Sequence, residues 1–523
     1  MNKFIALVLL VGLTFFLNSC ANVNKQEKID VNITFNKSNK LNFPFIGHGV
    51  QWSAYPHADS ENADWGFLMT DEKWNKLYKR VDFVNPHIIR VMDVASWRYF
   101  KGLDKENQPI VNFDTQEIKS LCKLLDYCQK NNIIVLFGEW GAPGFWEVKD
   151  KKPNDIVKAN DDRWIDMITQ YLDYLIIKKG YTCIKYYNLV NEPNGYWAST
   201  DGNWEEWKEG YQKLNTAFIK KGLDKYVTLS GPDAVTQWDH PKHPKKAHDW
   251  VYSTVEDLDS ITGLYDFHIY ADQNLIRTGN FIPYLKPFST AINKTKKPFV
   301  LGELGMKYSG ALREENKKRG EKDPYAGPDD SSMFVYDYFY GVDMADAAIQ
   351  SMLAGVGGAI AWDLDDAMHT VGDLGEKNQL KKWGMWNILA EEFGDLEVDK
   401  KPRPWSYTWT LLCNLFPPKS DIFQPKYSSK NDSIRAVASV HEGDFTTAIV
   451  NQSKKSKVFQ LKTDEIPSTK QLYLYEYSKE NRPTNSEGFP VATRKIEKDL
   501  SRENVIIEVK GESIIFLSTI LIQ

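Results

Sequence analysis

The stretch IKYYNLVNEPNGYW, from Ile184 to Trp197, decides how this chain is read. Ile184, Tyr186, Tyr187, Leu189 and Val190 are β-branched, aromatic or aliphatic, which predicts a buried strand over Ile184–Asn191. The run then delivers an amide, a carboxylate and a proline, Asn191-Glu192-Pro193, followed by the turn residues Asn194 and Gly195. Proline stops a hydrogen-bonded ladder, so the polar pair falls at the strand's carboxyl end, where α/β barrels carry their chemistry. A second stretch ends the same way. Lys297-Pro298-Phe299-Val300-Leu301-Gly302-Glu303-Leu304-Gly305 is apolar until a lone carboxylate appears among glycines.

On either side of these stretches, from Asn42 to about Asn387, strand-like runs alternate with amphipathic helices. The predicted strands are Phe45–Trp52, His87–Asp93, Ile133–Trp140, Ile184–Asn191, Tyr226–Gly231, Leu264–Tyr270, Pro298–Gly305 and Gly357–Leu364. Between them, Asp114–Asn131 opens with Asp114 and Glu117 at capping-box spacing and carries Ile118, Leu121, Leu125 and Cys128 on one stripe. Trp207, Tyr211, Leu214 and Phe218 form a similar stripe after the fourth strand. Eight such alternations predict an α/β chain built as a (β/α)8 TIM barrel. The rival, an open doubly wound sheet, calls for a glycine-rich phosphate fingerprint after the first strand, and none follows it. Long segments after strand seven (Met306 to Tyr336) and after strand eight (holding Trp383, Met385 and Trp386) are expected to wall a cleft.

From about Arg403 short β-rich runs replace the alternation: Ile434–Val440, Phe445–Asn451, Leu472–Tyr477, Val505–Val509 and Ser513–Leu517. They predict a small C-terminal antiparallel β-sandwich, and Ile29–Phe35 is a further strand suited to pair into it. Trp405, Tyr407 and Trp409 recur every second residue beside a short joint, a composition for rigid packing rather than a hinge. At the start, Lys3, the apolar run Phe4–Leu17 and Leu17-Asn18-Ser19-Cys20 make a secretory signal whose end resembles a bacterial lipobox. The expected division is a signal peptide at 1–19, a lipid-anchored tether with the N-terminal strand at 20–41, the barrel at 42–400 and the sandwich at 401–523. Cys20 is then the lipid attachment site of a protein of the bacterial cell envelope, with the outer membrane its expected place.

Net charge is −5 with both signs interspersed, so there is no electrostatic footprint for nucleic acid. Seventeen Trp and 26 Tyr are a notable aromatic excess; many are expected in the core or between barrel and helices, and several in turn-like contexts suit stacking on sugar faces. Cys122, Cys128, Cys183 and Cys413 show no CxxC spacing and are read as buried thiols. His240, His243 and His248 lie among lysines and prolines that suit a solvated loop, so no metal and no cofactor are expected. A monomer is expected.

Two carboxylates on two strand ends are what hydrolysis of a glycosidic bond needs: an acid for the departing oxygen, and a second carboxylate across the sugar. In the retaining route the pair stands about 5–5.5 Å apart. Glu192 is the candidate acid/base and Glu303 the candidate nucleophile. Arg90, alone in the apolar run Ile88–Asp93, needs an anion beside it. His268 and Tyr270 are two apart on one strand and share a face; Tyr270 suits donation to Glu303, and His268 suits contact with Glu192. Asn191 suits the sugar 2-hydroxyl, Trp362 a platform under the ring, and Trp140 and Glu139, ending the third strand, further substrate contacts.

With arginine on strand two, Asn-Glu-Pro on strand four, His-x-Tyr on strand six, Glu on strand seven and Trp on strand eight, the chain resembles clan A of the glycoside hydrolases. The barrel motifs are most like family 5, and the tail is similar to the β-sandwich of families 30 and 39. The resemblance implies that Arg90, Asn191, Glu192, His268, Tyr270, Glu303 and Trp362 take the roles just argued. It implies a retaining enzyme on a β-linked polysaccharide or oligosaccharide. The alternative is a lipid-anchored glycan-binding protein whose barrel is catalytically silent.

Overall fold

The computed structural model describes residues 28–53, 55, 68–146, 154–368, 379–394, 397–429, 431–464 and 471–522. The signal segment and Cys20 lie outside the described residues. Eight parallel strands close into a barrel: Gly49–Gln51, Ile88–Asp93, Ile134–Glu139, Ile184–Asn188, Thr228–Val235, Thr262–Asp272, Phe299–Lys307 and Ala359–Ala361, each paired with the next and the eighth with the first. They are numbered one to eight below. Ile88, Leu136, Leu264, Val300 and Ile360 fill the barrel floor, while alternate residues such as Ile89, Val91, Val135 and Phe137 face the helices. The helix Gln116–Lys130 is capped by Thr115, whose hydroxyl accepts from Ile118 N, rather than by Asp114. Glu117 is drawn away from any capping box because Arg98 pairs with it.

After strand eight and the short helix Ala390–Phe393 comes the helix Pro404–Leu415. It packs on the helices Tyr338–Ala354 and Asp71–Val84, and Trp409 Nε1 donates to the Gly49 carbonyl of strand one. Trp405, Tyr407 and Trp409 are all buried, but on a helix enclosed on every side. Such a helix has no polar face, so it shows no 3.6-residue signal.

Apart from the small hairpin of Phe100–Leu103 with Pro109–Val111, the remaining strands of the described residues form one nine-stranded sheet folded over a single core that joins Val31, Ile33 and Phe35 to Phe445, Ile449, Ile507 and Leu517. Every neighbouring pair is antiparallel except Val31–Leu41, which runs parallel to Lys457–Asp464 and antiparallel to Asp421–Tyr427. Val437, Val450, Tyr475, Tyr477 and Phe516 of this sheet belong to the barrel's own core. Arg435 and Gln452 bond Asp346, and Tyr477 OH donates to the Tyr338 carbonyl, both partners lying on the barrel helix Tyr338–Ala354. Cys128, Cys183 and Cys413 are buried free thiols; Cys122 is half-buried. Among the described residues no helix is long and apolar enough to cross a membrane.

Candidate active site

Strand parity aims the site. On strand two, Arg90 lies between floor residue Ile88 and mouth residue Met92 on the inward face. On strand six, Asp266, His268 and Tyr270 follow Leu264 inward. Strand seven carries an extra residue, Gly302, between Leu301 (opposite Phe267) and Glu303 (opposite His268). This bulge resets the register, so Glu303, Gly305 and Lys307 share the inward face with His268 and Tyr270. Gly305 has a steric reason: a Cβ there would stand 2.7 Å from a Tyr270 ring carbon.

Strand four stops pairing at Asn188, earlier than expected, and Leu189 to Pro193 bend over the barrel mouth. Glu192 has φ +47°, a left-handed conformation that costs a residue with a Cβ about 1–3 kcal/mol. Strand five holds the bend in place: Glu192 N donates to the Asp233 carbonyl at 3.1 Å, and Asn194 bonds both the N–H and the carbonyl of Val235.

Glu303 accepts from Arg90 Nη1 at 2.6 Å on one oxygen and from Tyr270 OH at 2.6 Å on the other. Glu192 accepts from His268 Nδ1 at 3.0 Å and from Trp197 Nε1 at 2.6 Å. An oxygen of each glutamate and a His268 nitrogen lie within 4.8 Å of one another. Burial raises the Glu303 carboxyl above the ordinary glutamate range, against the pull of His268 and Arg90. Asn191 gives its carbonyl to Arg90 Nη2 at 2.7 Å, which leaves its NH2 as the end available to the cleft. Trp140 and Trp362 meet edge to face at 6.0 Å, and Trp383 meets Tyr270 at 5.4 Å. Together with Tyr196, Trp197, Trp238, Lys307 and Lys381 they wall a cleft of about 710 Å³.

Asp233 is the principal group that sequence reasoning missed. It accepts from Arg90 Nη2 (2.9 Å) and Asn188 Nδ2 (2.7 Å) on one oxygen and faces His268 Nε2 (2.9 Å) with the other. Burial opposes its charge, yet Arg90 and His268 hold it down to about 2. Both His268 nitrogens face carboxylates, so both carry protons. Burial works against that imidazolium, but Asp233 and then Glu303 lift it to about 10. Asp266, close behind, is raised well above the carboxylate range by burial and then by Asp233.

Three expectations need correction. Glu139 does not reach the cleft: it follows Val135 and Phe137 outward, where Tyr99 OH (2.7 Å) and Trp164 Nε1 (3.1 Å) hold it, and burial raises it to about 8. Arg90 and His268 are fully buried and touch the glutamates, not the cleft space, so they position rather than bind. His240 is not on a solvated loop; it is buried, lines the cleft and pairs with Asp201 at 3.1 Å. Asp201, His240 and His243 are compact enough for a metal. However, His240 Nδ1 accepts the backbone N–H of Lys242 and of His243, so Nε2 is the N–H donor to Asp201 and neither nitrogen offers a lone pair.

The architecture recurs in solved enzymes. A family 30 endoxylanase from Clostridium papyrosolvens C71 superposes with a TM-score of 0.58 at 12% identity, covering 93% of this chain and 99% of that one. A family 39 enzyme from Xanthomonas axonopodis pv. citri gives 0.56 at 12%, covering 95% and 99%. The family 51 α-L-arabinofuranosidase AbfB from Bifidobacterium longum gives 0.60 at 12%, covering 94% and 99%. This chain shares with them a (β/α)8 barrel that carries an appended β-sheet domain. No protein-family model matches the sequence, and no curated protein does.

Proposed function

We propose that this chain is a retaining β-glycoside hydrolase, with Glu303 as nucleophile and Glu192 as acid/base. The observation that carries the reading is the close approach of the two carboxylates, with oxygens within 4.8 Å. Oxygens that close fit the retaining separation of about 5–5.5 Å better than the roughly 6.5–9.5 Å of an inverting pair, which holds a water between its members. In the first step a Glu303 oxygen attacks the anomeric carbon, the glycosidic C–O bond breaks, and Glu192 gives its proton to the departing oxygen. In the second, Glu192 takes a proton from water, which attacks the same carbon and frees Glu303. Arg90 and Tyr270 fix the attacking carboxylate. The Asn191 NH2 faces the sugar 2-hydroxyl, and Trp362 lies under the ring.

The test is hydrolysis of β-glucans, β-mannans, β-xylans and β-galactans, with the anomer of the first-formed product read by NMR. Retained configuration supports the reading, and inversion overturns it. Binding that depends on Trp140 and Trp362, without turnover on any of them, supports the silent-barrel alternative. We further propose lipid attachment at Cys20, tested by fatty-acid labelling that Cys20→Ser abolishes.

A further inference from the structure

Among the described residues, the charged groups that line the cleft have partners of opposite charge, Lys307 excepted. Glu303 pairs with Arg90, Glu192 with His268, Asp330 with Lys381 and Asp239 with Lys246, while the neutral His240 donates a hydrogen bond to Asp201. Lys307 has no carboxylate partner among the described residues. Its ammonium lies instead over two ring faces, 4.7 Å from the centroid of Trp238 and 5.0 Å from that of Tyr270. Ring faces hold a cation in place and strip some of its water without neutralising it. An ammonium so held is prepared for an anion approaching from the open side.

The place of this cation in the cleft follows from its neighbours. Trp197 donates to Glu192, and its ring meets Tyr196 at 4.9 Å and Trp238 at 6.5 Å. These three rings form a ridge that begins at the candidate acid/base. Tyr196 is 64% exposed and Trp238 41%, large apolar faces left open to solvent beside a polar cleft. The group protonated by Glu192 is the one that departs, so the ridge borders the leaving-group side.

We propose that the leaving-group side of the cleft is a subsite for a sugar carrying an anionic substituent, a carboxylate or a sulfate, with Lys307 pairing with the anion and Tyr196 stacking on the ring. Assignment to the leaving-group side rests on Glu192 being the acid/base; recognition of the anion by Lys307 does not. The pair forms where water still reaches it, so it weakens as salt rises.

The experiment measures binding of D-glucuronic acid, D-glucose 6-sulfate and D-glucose to the full chain, to Lys307→Gln and to Tyr196→Ala by ligand-observed NMR at low and high salt. At least one anionic sugar is expected to bind about tenfold more tightly than glucose. Lys307→Gln should remove that advantage and leave glucose binding as it was, whereas Tyr196→Ala should weaken all three sugars. Preference for glucuronic acid alone identifies the carboxylate, preference for the 6-sulfate alone identifies the sulfate, and equal binding shows that charge alone is read; each supports the subsite. Anionic sugars that bind no better than glucose, or that bind Lys307→Gln as tightly as the unaltered chain, overturn it. The catalytic reading fails separately: hydrolysis that survives Glu303→Gln removes it while anion recognition by Lys307 stands.

Discussion

Asp233 joins the supports of both glutamates, since it bonds Arg90, which holds Glu303, and His268, which holds Glu192. The His268 imidazolium, lifted to about 10 from an ordinary value near 6.5, contributes stability that is complete below about pH 6.5 and is lost as pH rises through about 10. Asp233, depressed to about 2, contributes stability that is present above about pH 3.9 and is lost as pH falls through about 2. Asp233→Asn should therefore cost about 3–5 kcal/mol in denaturant unfolding, because Arg90 and His268 lose a buried anion. It should also bring the His268 titration, followed by NMR, down from about 10. An unshifted titration would mean that Asp233 does not hold the imidazolium. Glu303 attacks only when ionised and is raised by burial, so kcat/KM should fall on the acid side above the ordinary glutamate range near 4.3. The two glutamates should separate chemically. Glu303→Ala should lose hydrolysis, and azide should restore turnover with an inverted product. Glu192→Ala should lose about 10²–10⁴-fold on natural glycans yet still show a burst with activated aryl glycosides. An inverted azide product from the Glu192 variant instead would exchange the two roles.

Among the elements, strand seven shows how a backbone irregularity sets chemistry: its bulge at Gly302 turns Glu303 inward, and Gly305 leaves room for Tyr270. Gly305→Ala should push the Tyr270 ring off Glu303 and cost roughly 100-fold in kcat while leaving the far-UV spectrum unchanged; full activity would show that the hydroxyl is not needed there. Strands two, three, six and seven were legible because β-branched runs and alternation leave little choice. The motif residues on them could be placed at the mouth from sequence. Strand five is expected to end at Gly231, and Gly231-Pro232 reads as a stop, whereas pairing continues to Val235 across an irregularity at Pro232–Ala234, which brings Asp233 into the strand. Glu139 and Trp140 are adjacent on a strand, so both cannot face the cleft; alternation alone was sufficient to send Glu139 outward. The ridge of Tyr196, Trp197 and Trp238 could not be read, because its members meet only when two loops converge.

For the whole molecule, the sheet domain and the barrel share a core through Val437, Val450, Tyr475, Tyr477 and Phe516, and the Arg435–Asp346 pair is buried between them. They should unfold in one transition, and Arg435→Met should lower it by about 3–5 kcal/mol because Asp346 is left without its cation. Calorimetry showing two transitions, or proteolysis near Lys401 releasing two stable fragments, would argue for independent units. One feature of the sheet bears on how the chain is made. Val31–Leu41 sits between strands that begin at Asp421 and Lys457, so almost the whole barrel is synthesised before its partners exist. At about 5–20 residues per second, the delay before Asp421 follows Leu41 is roughly 20–80 s. Throughout that interval Val31, Ile33 and Phe35 stand on an unpaired strand that other nascent chains can use as a template, which makes this segment a natural client for a holdase chaperone until the sheet closes.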